Sequence, residues 1–156
     1  MKTNKHNLLR YVSVLLLCLS VFSFAACNKK SAESSSLPQS TAAAASLWDS
    51  AVYTADKTFG DGKKTLKITV KADDKSVTFT LKTDAETVGE ALLAENLIAG
   101  DQSSYGLYVK VVNGIRADYD TDKAYWAFFQ NGAYMNTGVD ATKFADGDAY
   151  ELVYTK

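Results

Sequence analysis

The sequence predicts an α+β fold: a mixed or antiparallel sheet with one packed helix. Three observations carry this. Two stretches near the middle alternate apolar and polar residues with period two. One stretch has helical spacing. The remainder is cut into short segments by two Asn-Gly pairs and an Asp-Gly-Asp. A chain of 156 residues with 47% hydrophobic content has the length of one domain and is not wholly disordered.

Leu66, Ile68 and Val70 alternate with Lys67, Thr69 and Lys71. After Asp73-Asp74, Val77, Phe79 and Leu81 alternate with Thr78, Thr80 and Lys82, so this is a hairpin with one buried and one wet face. Val88, Ala91, Leu92 and neighbours of position 95 form a single stripe, predicting a helix that runs on to Ile98. Thr83 or Asp84 is the expected cap and Gly100 the expected stop. Strands follow over Tyr105 to Val112 and Tyr125 to Gln130, each closed by Asn-Gly, the strongest short hairpin signal. The second continues through Ala133 to Met135. Asp146-Gly147-Asp148 turns into a last strand with Tyr150, Leu152 and Tyr154 on one face. A hairpin, a helix and then further strands is the element order of a β-grasp-like topology.

The N-terminus reads differently. Lys2, Lys5 and Arg10 precede an apolar run from Tyr11 to Ala26, too short for a spanning helix and ending in small residues. Residues 1–26 are therefore expected to be a secretory signal peptide. Phe24-Ala25-Ala26-Cys27 resembles a bacterial lipobox, which implies cleavage before Cys27 and lipidation of that cysteine. The expected location is extracytoplasmic, lipid-anchored to the cell membrane of a bacterial envelope. Residues 27–46 are rich in Ser and Ala, hold the only proline, and read as a tether. The domain is 47–156.

Cleavage would leave 130 residues (156 minus 26) and a net charge of −4 (14 basic against 18 acidic). Nothing in that balance suits nucleic acid, which calls for a basic excess. His6 and Cys18 leave with the signal, and Cys27 is consumed by lipid. Ser-His-Asp or Cys-His catalysis and His- or Cys-ligated metal are then excluded, and no enzyme activity is expected. Asp118, Asp120 and Asp122 have the spacing that opens a calcium loop, but Lys123 and Phe129 stand where glycine and the twelfth-position carboxylate belong. They are expected to be an acidic, solvated connection. Gly60-Asp61-Gly62-Lys63-Lys64 lacks the phosphate-loop spacing and is expected to be a turn.

Several further motifs occur in one order: Thr87-Val88-x-x-Ala91-Leu92, then Tyr108-Val109-x-x-Val112-Asn113-Gly114, then Tyr125-Trp126-x-Phe128-Phe129-x-Asn131-Gly132, then Gly138-Val139-Asp140 and Asp146-Gly147-Asp148. Residues 64–156 thereby resemble the C-terminal β-domain of transcobalamin and intrinsic factor and the bacterial transcobalamin-like C-terminal domain family. The resemblance implies that the β-domain caps a corrinoid such as cobalamin, with Trp126, Phe128, Asn131 and Tyr134 at the contact. It also implies a missing second wall, which a partner protein would complete.

Within the strand 125–130, Tyr125 and Phe129 share one face and Trp126 and Phe128 the other. Two readings stay open for the Trp126–Phe128 face: it binds a ligand or partner, or residues 48–59 fold over it. The functional alternatives to a ligand site are a protein-interaction or adhesion module and a purely structural envelope component.

Overall fold

In the computed structural model, which describes residues 46–156, the alternating stretches pair as expected. β2 (Lys64–Ala72) and β3 (Lys75–Thr83) form an antiparallel hairpin, with Leu66 opposite Leu81, Ile68 opposite Phe79 and Val70 opposite Val77. All six side chains are buried. Asp73 turns the chain at φ 49°, a conformation that Asp tolerates better than most residues.

The last strand, β9 (Ala149–Thr155), lies parallel to β2, and β7 (Tyr125–Gln130) lies antiparallel to β9. With β1 (Lys57–Phe59) and β8 (Ala133–Tyr134) at the edges, the sheet order is β1-β3-β2-β9-β7-β8. A first hairpin strand beside a parallel last strand is the β-grasp arrangement inferred from the element order. β4 (Ile98–Ser103), β5 (Gly106–Val112) and β6 (Ile115–Arg116) make a separate three-stranded sheet.

The helix α1 (Val88–Ala94) buries Val88, Ala91 and Leu92 in the core. Two details differ from expectation. Its cap is Thr87, in a reciprocal box with Glu90, rather than Thr83 or Asp84. Its stop is Asn96 at φ 54°, with Leu97 N–H donating to Leu92 C=O and Asn96 N–H to Leu93 C=O. That pairing is a Schellman motif, and it buries Leu97 against the core. Ile98 therefore opens β4, and Gly100 lies inside that strand, where a Cβ would collide with the Tyr108 carbonyl oxygen.

Both Asn-Gly pairs turn hairpins, with φ of 51° and 82° at Asn113 and Gly114 and of 51° and 78° at Asn131 and Gly132. The strand expected from Tyr105 begins at Gly106, and Tyr105 lies at the hairpin tip, 98% exposed. The acid-rich connection folds into a single turn, α2 (Tyr119–Asp122), capped by Asp118.

Residues 48–59 pack at the β2–β3 end of the inner face that also carries Trp126 and Phe128, and none of them lines the open part beside those two rings. A 3-10 turn at Leu47–Ser50 buries Trp48, whose Nε1 donates to the Ala72 carbonyl at 2.8 Å. Tyr53, Phe59 and Phe79 meet edge to face, with centroids 5.3 to 5.8 Å apart. This segment therefore packs on the β2–β3 hairpin. No helix among the described residues is long and apolar enough to cross a membrane. Residues 1–45, and with them the expected signal peptide, Cys27 and nearly all of the expected tether, lie outside the described residues.

Candidate functional site

The pleat decides where β7 points its aromatics. Trp126 is opposite Tyr154 and Phe128 opposite Leu152, which in turn pairs with Val70. These side chains share the inner face with the hydrophobic core. Phe128 stacks on Tyr150 at 5.3 Å and Trp126 meets Tyr154 edge-on at 5.7 Å. Each is 7% exposed. Tyr125 and Phe129 take the other face, where Phe129 meets Tyr134 edge-on at 5.5 Å.

At the β7 end of the inner face the packing is incomplete. A cavity of about 400 Å³ opens there, lined by Trp126, Phe128 and Leu152, by Leu107–Val109 of β5, by Tyr125 and Tyr134, and by the coil from Met135 to Val139. The coil is held from several sides. Met135 N–H donates to Phe128 C=O at 2.9 Å. The Thr142 hydroxyl donates to the Gly138 carbonyl at 2.8 Å. The N-terminal amides of α1 close it: Gly89 N–H donates to Val139 C=O and Val88 N–H to Thr142 C=O. Gly89 is required for this approach, since a Cβ there would stand 2.8 Å from the Asp140 Cα. Asp140 then bridges to the far wall by accepting the Leu107 N–H at 3.0 Å.

The lining carries no charged side chain. Its polar groups are Asn136, Thr137 and the ring substituents of tyrosine and tryptophan. Trp126 Nε1 is a buried donor with no acceptor, a condition that costs about 1–3 kcal/mol. A cavity of this size, mostly apolar with a few polar groups, falls at the small end of the range for ligand pockets, about 300–1,000 Å³.

Trp126, Phe128 and Tyr134 come together in this lining; Asn131 occupies the exposed turn beyond it. Sequence reasoning missed Leu107, Val109, Met135, Asn136 and Thr137. The two β5 residues read as ordinary strand positions, and the coil 135–139 has no periodicity to read.

The Asp118 region differs from the solvated connection expected. Asp118 is buried and accepts from Arg116 at 2.6 Å, from Lys110 at 3.1 Å and from the Asp120 amide at 3.0 Å. The Lys110 hydrogen bond is foremost in holding its carboxyl below the usual range. Asp101 and Asp118 together hold the Lys110 ammonium above its usual range. With both oxygens so engaged, Asp118 is not a free metal ligand. Among the described residues no three His, Cys, Asp or Glu side chains cluster as a metal site. A second concavity, of about 390 Å³, lies by Trp48, Thr54 and Lys75–Val77 and has no comparable set of rings.

Residues 85–156 match a family described as Domain of unknown function (DUF4430). Among solved structures the chain is similar to a putative metal binding protein from Ruminococcus gnavus ATCC 29149, at 36% identity and a TM-score of 0.57. That match covers 60% of this chain and 98% of the other. It also aligns with haptocorrin in complex with Cbi at 17% identity and a TM-score of 0.46, covering 63% of this chain and 26% of haptocorrin. No curated protein matches.

Proposed function

The chain belongs to the family of the Ruminococcus gnavus protein and carries a DUF4430 domain, and from this premise we propose that it is an envelope lipoprotein whose domain captures a small ligand in the cavity between β5 and β7. The observation that carries the reading is the cavity itself, lined by Trp126, Phe128 and Tyr134. Aromatic walls bind flat ligands well, because they offer large area at little entropic cost.

A corrinoid is the candidate ligand, on the likeness of the Tyr125–Gly132 strand and hairpin to the cobalamin-carrier β-domain. A corrinoid brings its own metal. That suits a domain whose described residues offer no ligand set for a bare ion. A cavity of about 400 Å³ accepts an edge of so large a molecule, so a partner protein would supply the second wall. Without it the domain binds weakly.

The test is titration of the mature chain, from Cys27 and in detergent, with cyanocobalamin, followed by tryptophan fluorescence. Binding that Trp126→Ala abolishes while the variant stays folded supports the reading. Absence of binding to the folded protein turns the case to the alternative, a protein-interaction module. Tyr105, fully exposed at the β4–β5 tip, favours that second reading, since exposed tyrosines serve as interface anchors.

A further inference from the structure

Resting on the ligand-site reading above, we infer that the ligand presents a nitrogen donor to the Asp140 carboxylate at the cavity rim, a cationic amine in preference to a neutral amide, and that anions are excluded.

Two independent observations point there. The first is geometric. Asp140 follows Val139, the end of the lining coil, and its two carboxylate oxygens have different surroundings. Oδ2 accepts the Leu107 N–H at 3.0 Å, while Oδ1 has no hydrogen-bond partner among the described residues. Oδ1 lies between Gly106 and Gly138, where a Cβ built on either glycine would stand 2.9 Å from it. At Gly138, which lines the cavity, no other atom beyond the chain neighbours comes within 4 Å of that position. The oxygen therefore faces open space at the rim. The second observation is charge. Asp140 joins none of the ion pairs among the described residues, and the lining holds no Lys or Arg. Lys110, whose ammonium lies 5.7 Å from the centre of the Tyr108 ring, is already held by Asp101 and Asp118. Lys143 pairs with Glu86 at 3.7 Å. The cavity thus has one negative group beside it and no positive group to answer it. Asp140 is half-buried, which limits screening of its charge. A charge-assisted bond to Oδ1 offsets the hydration that an ammonium loses, and a lining rich in Trp, Tyr and Phe rings favours a cation further. A carboxylate finds neither and is repelled. A neutral amide N–H makes the same bond with less gain, so a corrinoid would turn an amide-bearing edge toward Asp140.

The test is NMR titration of the full chain in a non-ionic detergent, read at the Gly138 amide and the Met135 methyl group, both in the lining. The probes are hexylammonium, hexanamide and hexanoate, which match in chain length and differ in charge. Hexylammonium should bind most tightly, and hexanoate at least about tenfold more weakly. Asp140→Asn removes the charge but keeps an oxygen for the Leu107 N–H, and hydrogen exchange at that amide checks that the tie survives. The variant should hold hexanamide within about twofold of wild type and bring the three affinities together. Salt gives a second measurement that needs no variant. Raising ionic strength from about 0.01 M to about 0.15 M should weaken hexylammonium several-fold and leave hexanamide unchanged. Hexanoate that matches hexylammonium, hexylammonium binding that ignores salt, a preference that survives Asp140→Asn, or an equal loss of all three probes in that variant overturns the inference and leaves the ligand site standing. If no probe moves any lining signal, the site reading falls, and the inference with it.

Discussion

Asn113 holds Tyr53 by both ends of its side-chain amide: Oδ1 accepts the Tyr53 N–H at 2.9 Å and Nδ2 donates to the Tyr53 carbonyl at 2.8 Å. One side chain thus does what a neighbouring strand would do, sixty residues away in sequence. The Asn113 backbone carbonyl adds a third bond, from Val52 N–H. The same residue turns the β5–β6 hairpin at φ 51°. It therefore satisfies a turn and a long-range strap at once.

Asn113→Ala should destabilise the domain by roughly 2–4 kcal/mol, through two lost hydrogen bonds and a left-handed backbone that alanine adopts poorly. Urea denaturation measures it. Asn113→Gly should recover the backbone part alone and fall between wild type and alanine.

Acid should loosen the Asp118 cluster. Its carboxyl is held below the ordinary value of about 3.9, so its contribution is complete above that value and is lost as pH falls through the depressed folded value. Lys110 acts in the opposite sense. Its raised value means that its contribution is complete below about 10.4 and is lost as pH climbs through the folded value. Stability against pH, followed by thermal melts, should show an acid limb that Asp118→Asn flattens.

Trp126→Phe should cost little stability, within about 1 kcal/mol of wild type, because removing a buried donor that has no partner offsets the lost ring area. Phe128→Ala should cost about 3–5 kcal/mol, since Phe128 stacks on Tyr150 in the core. Chemical denaturation of both variants checks the contrast. A Trp126→Phe loss as large as that of Phe128→Ala would show that the Nε1 donor has a partner after all.

Lipidation at Cys27 is open to a direct check. Cys27→Ala should abolish the acyl mass increment in intact-mass spectrometry and change membrane retention on fractionation. A variant that keeps the acyl mass would place the lipid elsewhere.

Much of the fold was legible because its signals are local. Leu66, Ile68 and Val70 and their partners on β3 betray their burial by period two, and Asn131-Gly132 announces a turn through backbone freedom alone. The helix end was misread for the opposite reason. Gly100 is a stronger stop in isolation than Asn96, but burial of Leu97 selected Asn96. Asp118 looked like one of three solvated acids until Lys110 and Arg116, brought in by β5 and β6, enclosed it.

The sequence by itself determined the α+β class, the β2–β3 and Asn-Gly hairpins, and which β7 aromatics lie together, since each follows from neighbours within a few residues. Only the tertiary structure decided that Trp126 and Phe128 face inward, that residues 48–59 pack at the β2–β3 end of that face, and that β5 and the 135–139 coil wall a cavity beside the two rings. The physical reason is that alternation separates a strand's two faces but does not say which is inside. That choice belongs to the parallel pairing of β2 with β9, between residues some eighty positions apart, which aligns β7 with the core.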